Sequence, residues 1–247
     1  MSRPWNATHA ESHLPKALQG LRIPAVASPM FIISVPALVI AQCKAGIIGS
    51  FPALNAREAD GEHPLLDTWL TQIKEELDRH NQANPDTPAA PYAVNQIVHR
   101  SNGRLDRDIE ICVRHEVPVW ITSLGARVEV NEAAHSCADG LIAVAAGAGG
   151  HAGPQSPFAL IQEIRSWFDG PLLLSGSIST GSAIAAARAM GADLGYIGSP
   201  FIATEEANAV QGYKDAIVNG SAADIVTSSL FTGVCGNYLR PSIEAAG

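Results

Sequence analysis

Short apolar runs rich in Val and Ile alternate with longer amphipathic stretches along almost the whole sequence, and this alternation constrains the fold more than any other feature. Short runs that are apolar throughout suit strands buried on both faces, and amphipathic stretches suit the crossover helices that cover those faces. The pattern predicts an α/β protein with a parallel sheet. Strands are expected at about Pro24 to Ser28, Gly46 to Ser50, Tyr92 to Asn95, Val117 to Thr122, Gly140 to Ala145, Leu172 to Ser175 and Leu194 to Ile197. Helices are expected at Pro36 to Lys44, Leu65 to Arg79, Leu105 to His115, Val128 to His135, Pro157 to Trp167 and Ser182 to Met190. The stretch His80 to Pro91, HNQANPDTPAAP, is a polar, proline-rich connection inside the array, so residues 1–247 are read as a single domain. With 247 residues and 47% hydrophobic content, the chain can bury one large core.

Such an array either closes into a barrel or stays open as a doubly wound sheet, and periodicity does not separate the two. Glycine placement favours the barrel. A doubly wound nucleotide-binding sheet carries GxGxxG after its first strand, whereas here the first strand ends in ASPM and the glycine-rich turns follow the fifth, sixth and seventh strands. Barrels place phosphate sites in their last strand-to-helix loops. The expected fold is therefore a TIM (β/α)8-type barrel, with one irregularity. Thr122 to Gly140 holds one short helix before ADGLIAVA begins, although ADG resembles the end of a helix entering a strand, as in the later GADLGYIG. Either the barrel lacks one β/α unit near Cys137 and Ala138 or residues have been lost there, since an eighth strand would need about twenty-five more residues.

Composition narrows the function. The net charge of −8 and the scattering of 16 Lys and Arg argue against nucleic acid, whose phosphates are bound by clustered cations. Small-molecule chemistry is the better expectation. Cys43, Cys112, Cys137 and Cys235 lie far apart in apolar stretches without a CxxC pair, which suggests neither a disulfide framework nor a zinc site. The N-terminus, MSRPWNATHAESHLP, has no apolar signal core, and the run Ile23 to Ile40 is broken by Pro24, Pro29 and Pro36. A soluble cytoplasmic protein is expected.

Five segments carry chemistry. Ala145 to Gly153, AAGAGGHAG, surrounds His151 with glycines and alanines at the C-terminal end of a strand. Glycines such as Gly149 and Gly150 let backbone approach a planar ligand, and barrels place reacting groups at strand ends. His151 is the natural proton acceptor there, because imidazole titrates nearest neutrality. A flexible loop with an exposed histidine would read the same way. Ser175 to Gly181, SGSISTG, and Tyr196 to Ser199, YIGS, leave successive strands, and the amides of Gly176, Ser177, Gly198 and Ser199 could cradle a phosphate beside a helix N-terminus. Ordinary tight turns also favour Gly and Ser. ASPM, comprising Ala27, Ser28, Pro29 and Met30, could lay a soft apolar surface against a flat ring. In YAVNQIVH, Asn95 stands at a strand end and could bond the polar edge of that ring.

Other candidates are weaker. His9, His13, His63, His80, His99, His115 and His135 show no metal-ligand spacing and read as surface or core residues. Ser123 ends the fourth strand without a GxSxG elbow around it. EELDR in the Leu65 to Arg79 helix reads as a solvated face with helix-spaced ion pairs.

ASPM, VNQ, AGAGGHAG, SGSI and YIGS ahead of FIATEEA, in this order, resemble the nitronate monooxygenases, formerly called 2-nitropropane dioxygenases, from about Ile23 to Gly247. The resemblance implies a TIM barrel holding FMN noncovalently, oxidation of alkyl nitronates by O2, and no nicotinamide reductant. It implies that His151 takes the α-proton of a neutral nitroalkane, that Asn95, Gly149, Gly176, Tyr196, Ile197, Gly198 and Ser199 contact FMN, and that Met30 lines its ring. Where several relatives have a glutamine, this sequence has Val144. Relatives also supply one more strand before Gly140 and usually continue past Gly247 with a lid. FMN-dependent enoyl-acyl-carrier-protein reductases and NADH:quinone reductases share these motifs. A non-catalytic flavin binder, or an aldolase or isomerase using the cradle for a substrate phosphate, are further alternatives.

Overall fold

A computed structural model of the protein describes residues 13–57, 64–124 and 138–246. The helix expected at Val128 to His135, together with His9, His63, His135 and Cys137, lies outside the described residues.

The alternation expected from sequence is present. In order come β1 (Ala25–Ala27), α1 (Pro36–Lys44), β2 (Gly49–Pro52), α2 (Leu65–Ala83), β3 (Tyr92–Ile97), α3 (Leu105–Arg114), β4 (Val119–Ser123), β5 (Leu141–Val144), β6 (Gly150–His151) and α4 (Pro157–Arg165). They are followed by β7 (Leu172–Ser175), α5 (Gly181–Met190), β8 (Leu194–Ile197), α6 (Ser199–Ile202), α7 (Gln211–Asn219), β9 (Ile225–Ser228), β10 (Gly236–Leu239) and α8 (Arg240–Ala246). Local chemistry explains the boundaries. Pro36 occupies the first turn of α1, where its missing N–H is not needed. Thr180 caps α5 by accepting from the Ala183 amide at 3.2 Å, and Gly191, at φ 113°, ends it. Leu66, Leu70, Ile73 and Leu77 repeat at helical spacing on the inner face of α2, and burying each contributes about 1.5–3 kcal/mol before the entropy of ordering is set against it.

The strands other than β6, β9 and β10 are parallel and run in the order β4-β3-β2-β1-β8-β7-β5. The three-stranded and four-stranded parts of this array join at the Val26–Ile48 bridge, where the Ala27 amide donates to the Ile48 carbonyl at 2.8 Å. This is a barrel's strand order, and among the described residues no pairing joins β4 to β5. The irregularity expected near Cys137 and Ala138 falls between these two strands, where residues 125–137 lie outside the described ones. Of the parallel strands, β4 and β5 are the less covered: Leu124, just past β4, is 70% exposed and Val144 on β5 is 42% exposed.

Strand alternation sorts the core into three layers. Val26, Ile48, Ala93, Ile121, Leu173 and Leu194 meet in the interior of the array. Outside it, α1, α2 and α3 cover β2 and β3 through Val39, Phe51, Leu70, Val94 and Cys112, while α4 and α5 cover the other half through Ile161, Leu172, Leu174 and Ile184. Cys43 and Cys112 are buried, and burial pushes both thiols up to about 12, so they remain protonated packing groups.

Two expectations are corrected. β3 continues two residues past Asn95 to Ile97, so Asn95 is a buried residue within the strand rather than at its end. The chain after Ile197, for which no strand is expected, forms an antiparallel hairpin of β9 and β10 that pairs with β6. Among the described residues no helix is long and apolar enough to cross a membrane.

Candidate active site

The inward positions change character toward the C-terminal ends of the strands. Two residues beyond each apolar interior position, alternation brings Ser28, Ser50, Asn95, Ser123, Val144, Ser175 and Tyr196 to the same face. The barrel mouth is thus polar above an apolar floor, with Val144 the one apolar member. Ser123 donates to Asn95 Oδ1 at 3.2 Å, and the Ser50 hydroxyl donates to the Ala27 carbonyl. Tyr196 is hydrogen-bonded to Ser28, yet burial still holds its phenol above the usual range, so it keeps its proton at neutral pH.

Over this layer four strand-end loops close together. The Ser28 amide donates to the Ile197 carbonyl at 2.7 Å, and a Cβ placed on Gly198 would stand 3.3 Å from Ser28 Cβ and 3.6 Å from Met30 Sδ. A Cβ on Gly149 would overlap the Ser199 hydroxyl, and one on Gly147 would overlap that of Ser177. The backbone of Gly176 lies against the carbonyl of Ala146, 2.9 Å from where its Cβ would be. Ser28, Met30, Gly149, Gly176, Ser177, Gly198 and Ser199 therefore share one rim, with Tyr196 in the layer beneath it. Its surface is backbone and small side chains, so the loops approach one another closely.

Several expected roles change in detail. The Ser177 amide already donates to the Gly147 carbonyl at 3.0 Å, which leaves the hydroxyl of this exposed residue as its other donor. The side chains of Ala27 and Ile197 lie in the outer layer, which leaves only their backbone for a ligand. The helix entered from YIGS, α6, has four residues and adds little dipole. Asn95 lies on β3, in the other half of the array, facing the same interior.

His151 sits in β6, exposed, paired with Gly236 of β10. Its Nε2 is 3.4 Å from the Thr232 hydroxyl, which is in turn 3.4 Å from the Tyr238 phenol. The Ala152 amide donates to the Cys235 carbonyl at 3.1 Å, and Asn237 Nδ2 donates to the Ala148 carbonyl at 2.8 Å. The β9–β10 hairpin thus braces the glycine-rich loop. Thr232, Asn237 and Tyr238 escape sequence reasoning because pairing with a two-residue strand leaves no periodicity; the turn-like FTGVC before GNYL is the one available signal. Asn237→Ala is expected to cost about 0.5–1.5 kcal/mol. It should also speed amide exchange across Ala148 to Ala152, and unchanged exchange would dismiss the brace.

The other histidines make structural contacts where they are described. His13 meets Asp193 at 3.0 Å, His115 meets Asp67 at 2.9 Å, and His99 Nδ1 meets the Ser101 hydroxyl at 2.7 Å.

A small-residue rim on the C-terminal ends of parallel strands, above a polar inward layer, defines a small-molecule enzyme of the (β/α)-barrel type. The sequence profile of the nitronate monooxygenase family matches residues 92–240, more than half of the chain, and the chain belongs to that family of oxidoreductases. A nitronate monooxygenase of Paraburkholderia phytofirmans is 24% identical over 285 residues, spanning 93% of this chain and 77% of the relative. That alignment is longer than the chain itself, so the relative carries residues with no counterpart here. Among solved structures, nitroalkane oxidase from Streptomyces ansochromogenes superposes with a TM-score of 0.73 at 23% identity, covering 89% of this chain and 77% of its own. FabK from Thermotoga maritima does so at 0.69 and 23%, covering 91% and 73%. Both likenesses show the barrel-type fold.

Proposed function

We propose that the protein binds FMN at the rim and oxidises alkyl nitronates with O2, His151 taking the α-proton when the substrate arrives as a neutral nitroalkane. One observation carries this reading: the GGH loop, the SGSI turn and the YIGS turn, which are far apart in sequence, meet through the Gly147–Ser177 and Gly149–Ser199 contacts. The phosphate is assigned to Gly176, the Ser177 hydroxyl, Gly198 and Ser199. Met30 and Pro29 flank the ring, and Asn95 and Tyr196 offer polar contacts from below. When bound, the flavin supplies the electron acceptor that an anionic, carbanion-like nitronate needs. The chain's own residues hold the ring over the polar layer, place an imidazole at the open side, and exclude water from the apolar floor.

The test is a visible spectrum of the purified protein before and after anaerobic addition of propyl nitronate. A yellow protein that bleaches, and regains colour in air, is the expected result. Bleaching by NADH with turnover of a quinone or enoyl thioester, and no response to nitronate, would move the chain to the reductases. Colourless protein that takes up no added FMN would overturn the cofactor assignment.

A further inference from the structure

The turn after β1 that carries Met30 is held by a residue outside the site motifs. Asn55, in the short turn after β2, is 9% exposed and directs its whole amide at this one turn. Its Nδ2 donates to the carbonyls of Met30 and Ser34, both at 2.9 Å, and its Oδ1 accepts from the Ile32 amide at 3.0 Å. Both amide protons and one oxygen lone pair are thereby used. The turn needs such a hold, because Ile32 has φ 66°, a left-handed conformation that a β-branched residue rarely adopts. Asn208 grips it from the other side, donating to the Ile32 carbonyl at 3.1 Å, and Arg57, two residues past Asn55, lies 5.1 Å over the Phe31 ring.

We propose that Asn55 is a positioning residue: it fixes the left-handed Ile32 turn and so sets where Met30 stands against Gly198 at the rim, an inference that rests on the flavin reading above. Strained backbone persists only where its surroundings over-determine it, and it concentrates at ligand clamps. Without the Asn55 amide, Ile32 can relax to an ordinary conformation and carry Met30, two residues earlier, off the rim. Aspartate cannot replace it, since a carboxylate has no proton to give the two carbonyls.

Two measurements test this on the full chain. The first is FMN affinity by flavin fluorescence, well below the unfolding temperature, and the second is amide exchange across Met30 to Ser34 in the ligand-free protein. Asn55→Ala and Asn55→Asp are each expected to weaken FMN binding by about tenfold and to speed that exchange by a similar factor. The double variant Asn55→Ala with Ile32→Gly should recover most of the affinity, because glycine holds positive φ without a clamp. A purely structural Asn55 would lower the unfolding temperature yet leave FMN affinity within about twofold, and that result overturns the proposal. Unchanged exchange overturns it equally. Should Asn55→Ala fail to fold, the exposed Asn208→Ala loosens the same turn and must shift both readouts in the same direction. If the wild-type chain takes up no FMN, the cofactor reading fails by itself, and the exchange arm still decides whether Asn55 governs the turn.

Discussion

Replacing His151 with Ala is expected to slow turnover of neutral nitroalkanes by about 10²- to 10⁴-fold, the range a positioned general base contributes. Preformed nitronates have already lost the α-proton and should be oxidised at a rate far closer to wild type. The difference between the two substrates is the informative quantity, because damage to the glycine-rich loop would slow both. His151 is exposed at the end of the AAGAGG run, with the Thr232 hydroxyl 3.4 Å from Nε2. Equal losses on both substrates would reject His151 as the base.

The second large effect is expected at Gly176. Its φ of 136° is one that side chains rarely adopt, and an added Cβ would lie 2.9 Å from the Ala146 carbonyl and 3.3 Å from Ala145 Cβ. Strain of this kind costs about 1–3 kcal/mol. The backbone collision adds to it, since neither β7 nor the loop after β5 can withdraw without breaking the pairing of Val144 with Ser175. Gly176→Ala should therefore lower the unfolding temperature and weaken FMN binding by at least about tenfold. A variant that binds FMN as tightly as wild type would show that the β7 turn lies outside the cradle.

Much of the fold is legible in the sequence for identifiable reasons. α1 is bounded as expected, because Pro36 opens it and the Gly46 turn follows it. β7 and β8 match residue for residue, because LLLS and LGYI are short apolar runs between a proline or glycine turn and a glycine turn. β2 begins three residues later than expected: Gly46, at φ 86°, still belongs to the turn, and regular pairing with β3 starts at Gly49. α2 runs on to Ala83 because HNQA is polar yet still helix-compatible. The rim motifs are legible because small residues at strand ends are a local signature. The grips on them are not. Asn55 reaches back 25 residues to Met30, and Asn237 reaches 89 to Ala148. Long-range bonds of single side chains leave no mark in any periodicity.

The junction between the two parts of the sheet has a mechanical consequence. Among the described residues the three-stranded and four-stranded parts are tied by the β1–β2 bridge and by the shared interior layer of Ala93, Ile121, Leu173 and Leu194. Asn95 belongs to one half, and Gly176, Gly198 and Ser199 belong to the other. A ligand that touched both parts would add a further tie between them, and its binding would stabilise the array by mass action.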